Sequence, residues 1–128
     1  MVSLAAGLAL SHAIIVIGAG HGAGPLGLIY GFAVAGELSY GPSAHSPSFV
    51  LTGGAGLIGC ALAPLLPHAS LRRIALALSA ACLAIATAYF YFSVTETKPF
   101  TGVTCVPFLA AVLALSVWLS LSLWRQPK

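Results

Sequence analysis

Aspartate and asparagine are absent from this chain, and Glu37 and Glu96 are its only acids. A Ser-His-Asp triad therefore has no third member unless one of these two glutamates replaces it. Charged residues of both signs make up 5% of the sequence, where a soluble domain carries about 25%. So few charges cannot hydrate a water-facing surface of this size, which excludes an ordinary soluble globule and asks for lipid as solvent. The five Lys and Arg residues set a formal charge of +3 but form no basic stripe, so nucleic acid is excluded as a partner. No CxxC pair occurs. Cys60, Cys82 and Cys105 stand alone in or at the ends of apolar runs, an odd set that suits packing better than a disulfide framework. There is no H-E-x-x-H, no P-loop and no metal-ligand cluster. The reading is a protein that is not an enzyme and holds no metal.

What is present is apolar sequence in long stretches. A helix needs about 20 apolar residues to cross a hydrocarbon core roughly 30 Å thick. Four stretches qualify in whole or part: about residues 4–20, 49–66, 74–94 and 103–124. Together they predict an all-α fold, a polytopic integral membrane protein built as a single four-transmembrane-helix bundle. No Lys or Arg precedes the first stretch, so it lacks the positive n-region of a cleaved signal peptide and is read as retained. The run Gly18-Ala19-Gly20-His21-Gly22-Ala23-Gly24-Pro25 is poor helix material and predicts a glycine-rich break after the first span. Residues 26–36 are too few to cross alone, so they extend the first span beyond a kink or form a half-helix. As a true crossing they would raise the count to five and turn the N-terminus outward. Residues 37–48 read as a polar loop, 66–73 as a hinge and 95–99 as a turn.

Basic residues at span ends mark the cytoplasmic side. Arg72 and Arg73 place the hinge inside, and Arg125 and Lys128 place the C-terminus inside, two crossings later. These topology anchors agree, and with four spans both termini are cytoplasmic. The expected location is a bacterial-type inner (plasma) membrane. Tyr89, Tyr91 and Trp124 fall at span ends, where amphipathic rings sit at headgroup level. Helices in lipid associate through small residues that let backbones approach. That spacing occurs at Gly20/Gly24, Gly27/Gly31, Ala55/Gly59/Ala63, Ala80/Ala84/Ala88, Ala110/Ala114 and Ser116/Ser120. The partners implied are the lipid bilayer and other membrane helices, in a homo-oligomer or a larger complex.

Few residues offer chemistry. Ile14-Ile15-Val16-Ile17 followed by Gly18-x-Gly20-x-x-Ala23, with Glu37 some twenty residues on, has the spacing of a dinucleotide fingerprint. Pro25 stands where the phosphate-binding helix would begin, and no βαβ alternation follows, so the fingerprint is rejected. His12 lies at membrane depth, where an ionisable group points to function by default. His12 and His21 are nine residues apart, roughly 13 Å along a helix, and cannot share one metal on it. No cofactor is expected, the alternative being haem held through His12. The principal functional reading is a small, non-catalytic integral membrane subunit or interaction protein packing through small-residue faces. Its alternatives are an oligomeric transporter or channel with His12, His21 and Glu37 lining the path, and a haem-binding redox subunit.

Overall fold

The computed structural model describes residues 1–19, 22–40, 48–93 and 98–124. Among them are five α-helices: α1 (Val2–Ala13), α2 (Leu26–Tyr40), α3 (Ser48–Leu62), α4 (Ala69–Ser93) and α5 (Lys98–Trp124). Between α1 and α2 stand two short strands, β1 (Val16–Ala19) and β2 (Gly22–Pro25), and a 3₁₀ turn (Ala63–Leu65) follows α3. The expectation of a mainly helical fold holds, and two segments, Ala69–Phe92 and Thr101–Trp124, are long and apolar enough to cross a membrane.

The first span departs from its expected form. It is not a helix over residues 4–20, because α1 ends at Ala13. The last turn tightens as Ile15 N–H donates to His12 C=O at 3.2 Å, and the chain then runs extended. Ile14-Ile15-Val16-Ile17 explains the stop: β-branched side chains are stiff against the preceding helical turn and fit a pleated strand. The glycine-rich segment that follows is therefore an antiparallel pair, with Val16 opposite Pro25 and Ala19 opposite Gly22. The glycines open no phosphate-binding helix, since Gly22 and Gly24 lie in β2.

A strand pair inside an apolar bundle must have its outward backbone groups covered by protein. Leu26 N–H donates to Ile15 C=O at 2.8 Å, which makes that pair hydrogen-bonded. Bonded and non-bonded pairs alternate along an antiparallel ladder, so Val16 and Pro25 occupy a non-bonded position. The missing Pro25 N–H therefore costs no ladder bond. The Val16 amide, turned away from β2, meets α5 instead: its N–H donates to Thr104 Oγ1 at 3.0 Å, and Thr101 Oγ1 donates to its C=O at 2.9 Å. Thr101→Val and Thr104→Val each orphan one group of this amide. Each is expected to destabilise the fold by about 1 kcal/mol, read as a lower denaturation midpoint and faster proteolysis near residues 16–25.

The other boundaries also shift. Residues 26–36 belong to a helix of 15 residues that runs on to Tyr40, so Glu37 is helical rather than in a loop. The hinge is shorter than expected. Leu66, Pro67 and His68 separate the 3₁₀ turn from α4, and Arg72 N–H already donates to His68 C=O, so Arg72 and Arg73 are in the first turns of α4. α5 starts at Lys98, with Pro99 in its first turn, where a missing N–H is harmless.

α3 and α4 form an antiparallel pair through the 3₁₀ turn, and α1 lies between α3 and α5. Leu8, Ile15, Leu26, Leu76, Leu83 and Phe108 are the fully buried centre. Small residues line the α3–α4 contact, and the expected pattern holds in part, since Gly59 faces Ser79 of α4 and Ala63 is buried. The buried face of α3 carries Gly53, Gly56 and Cys60, and Ala63 continues it into the 3₁₀ turn, while Ala55 is exposed. On α4, Ala80 is buried but Ala84 and Ala88 are exposed, as are Ala110, Ala114, Ser116 and Ser120 on α5. The alanines of α4 face a cleft toward α5 in place of a tight helix contact.

Candidate functional site

The side chain that joins most of these elements is His12, with no exposed surface. It stands in the last turn of α1, where the coming strand turns the chain and leaves the ring facing the bundle interior. Its Nε2 lies 3.0 Å from the Tyr30 hydroxyl of α2, and its Nδ1 lies 3.0 Å from Thr87 Oγ1 of α4. Tyr30 stacks on the imidazole with ring centroids 5.8 Å apart, and Phe108 of α5 meets it edge-on at 5.2 Å. Phe90 closes the far side of Tyr30 at 6.4 Å. Four helices thus meet at one ring.

The hydrogen bonds assign the tautomer. Thr87 has one hydroxyl proton, and it goes to the Leu83 carbonyl at 2.8 Å, because a carbonyl cannot donate. Thr87 Oγ1 must then accept from His12 Nδ1–H. That leaves Nε2 as the acceptor for the Tyr30 hydroxyl. The chain reads Tyr30 O–H to His12, His12 N–H to Thr87, Thr87 O–H to Leu83 C=O, with each donor used once. Its last member has no proton to pass on, so the chain terminates at α4. An arrangement of this kind orients and locks helices, and a buried polar group left without it would be costly. An iron bond through Nε2 would first have to displace the Tyr30 hydroxyl.

Beside this node, Thr87 and Phe108 form the floor of an open cleft of about 440 Å³ between α4 and α5. Ala84, Ala88 and Gly102 make its sides, and Tyr91 and Cys105 also line it. Apart from Thr87, Tyr91 and Cys105, the lining is apolar.

Of the residues singled out from the sequence, His12 is at the centre of the node. His21 lies outside the described residues. Glu37 is placed in α2, seven residues after Tyr30. Arg72 and Arg73 are half-buried at the start of α4, and Arg125 and Lys128 lie outside the described residues. Among the described residues no group of three His, Cys, Asp or Glu side chains is placed to hold a metal ion. Tyr30 and Thr87 were not anticipated. The signal for Thr87 was available: with Ser79 it is one of the two polar residues inside the third apolar run before Ser93, eight residues apart and so on one helical face. No family model, no curated protein and no solved structure matches the chain.

Proposed function

We propose that the chain is a small integral membrane subunit or interaction protein, without catalysis, that crosses the bilayer four times and packs on other helices through small-residue faces. The observation that carries this reading is the surface of α5. Across Thr101–Trp124 only 11% of the apolar window is buried, against 39% for the α4 span. A helix apolar on all sides and left uncovered needs lipid or a further helix around it. Ala110, Ala114, Ser116 and Ser120 lie on that uncovered surface and suit close helix approach. α1 alone, with 12 residues, covers only about 18 Å, but β1 (Val16–Ala19) is extended and adds about 13 Å. The two together suffice for a crossing. Arg72, Arg73, Arg125 and Lys128 then put both termini on the cytoplasmic side of a bacterial-type inner membrane.

Purification in mild detergent, with an intact-complex mass and an absorption spectrum, tests this reading. The expected result is retention in membranes after an alkaline carbonate wash and a mass above that of one chain. A colourless monomer with no co-purifying protein would sink the subunit reading and the haem alternative together. One observation favours a transport reading instead: Tyr30, which donates to His12, shares α2 with Glu37 two turns on. A path through His12 would have to bypass the Leu83 carbonyl, and proton flux in liposomes that His12→Ala abolishes would establish it.

A further inference from the structure

We propose that Arg72 and Arg73 bind the phosphate of an anionic lipid headgroup, an inference that rests on the membrane reading above. The arginine pair itself carries it. The chain has two acids, Glu37 and Glu96, and none lies in α1, α3, the 3₁₀ turn or α4, the elements that surround the pair. α4 has 25 residues, so its far end, beyond which Glu96 follows in sequence, is roughly 37 Å from its start. No carboxylate of these elements can therefore serve as counterion. The position adds to the imbalance, because cations at a helix N-terminus oppose the helix dipole.

Neither side chain escapes into water, since both are half-buried. Arg72 spends Nη2 on the neutral Pro67 carbonyl at 3.1 Å. Its Nε is the one buried side-chain nitrogen or oxygen without a hydrogen-bond partner among the described residues. Two guanidiniums with unspent donors and no counterion among the described residues are suited to an oxyanion that accepts at two points, and phosphate has that geometry. The surroundings favour a lipid as the source of the phosphate. Leu65, Leu71 and Ile74, in the same stretch, are 77%, 44% and 56% exposed. Hydrocarbon beside guanidinium matches an acyl chain beneath its headgroup.

The test reconstitutes the full chain in phosphatidylcholine bilayers doped with spin-labelled phosphatidylglycerol and measures the lipid held at the protein surface. Wild type is expected to prefer phosphatidylglycerol over phosphatidylcholine by roughly tenfold or more. R72Q/R73Q should lose most of that preference and R125Q/K128Q little of it. R72K/R73K, which keeps the charge and guards against misfolding of the Gln variant, should keep part. Equal retention of both lipids by wild type overturns the proposal, as does an unchanged preference in R72Q/R73Q. Competition by millimolar inorganic phosphate as effective as that by the lipid also overturns it, by making the site one for free anions. A chain that does not enter bilayers at all instead removes the membrane reading, an outcome distinct from entry without preference.

Discussion

Replacing His12 by alanine is expected to destabilise the fold by about 3–5 kcal/mol, measured as the shift in unfolding midpoint in mixed detergent micelles. Two effects contribute, and their sizes differ. Hydrogen bonds between membrane helices average about 0.6 kcal/mol and reach about 1.7, because the unfolded chain in lipid also finds partners. Truncating a buried ring to alanine costs about 3–5 kcal/mol through lost contacts and the cavity left behind. The imidazole is fully buried between Tyr30 and Phe108, so loss of packing should dominate. His12→Phe separates the two effects. It keeps a ring of similar bulk and removes both hydrogen bonds, so it should cost only about 1–2 kcal/mol. Tyr30→Phe and Thr87→Val should each cost about 1 kcal/mol. Their combination should be non-additive, since His12 links them. A His12→Phe variant as unstable as His12→Ala would show that the polar chain, and not the ring, holds the four helices together.

The parts legible in the sequence were those that depend on length and composition. α4 and α5 could be read from two charge-free runs, because nothing but a long apolar helix fits them. The end of α1 was hidden by the same composition. Ile14–Ile17 is as apolar as the helix before it, and only its β-branching marks the change to strand. Glu37 reads as the start of a loop because a polar, turn-rich stretch with Gly41-Pro42 and Ser46-Pro47 follows it, yet α2 continues three residues beyond it. His12 stood out as an ionisable residue in an apolar run. Its partners did not, because Tyr30 and Thr87 are 18 and 75 residues away and leave no local trace of the contact. Small-residue spacing marked Gly27, Gly59, Ala63 and Ala80, which stand at close contacts or are buried, but in a chain so rich in alanine it also marked Ala55, Ala84 and Ala88, which are exposed. What separates the buried face of α3 from its neighbours is glycine, which lets two backbones meet where alanine would not.

Gly56→Ala is accordingly expected to cost about 2–3 kcal/mol, at the upper end of the range for overpacking. A Cβ at this position would lie 2.7 Å from Leu83 Cγ and 3.1 Å from the Ser79 carbonyl oxygen. The first neighbour is fully buried and has no free space to rotate into, and the second is the backbone of α4. Relief therefore requires α3 and α4 to separate. Gly54→Ala is the control: its Cβ meets nothing within 4 Å, so the greater helix propensity of alanine should leave stability unchanged or raised by up to about 1 kcal/mol. The Gly56 effect should also reach the histidine node. Leu83, which the new methyl displaces, supplies the carbonyl that accepts from Thr87, and so ends the chain that sets the His12 tautomer. If α4 moves as a unit, Gly56→Ala should weaken the Thr87–His12 bond. The cost of Thr87→Val should then be smaller in the Gly56→Ala background than in wild type. Strict additivity between the two would mean that α4 accommodates the methyl locally and that the node is insulated from the α3–α4 contact.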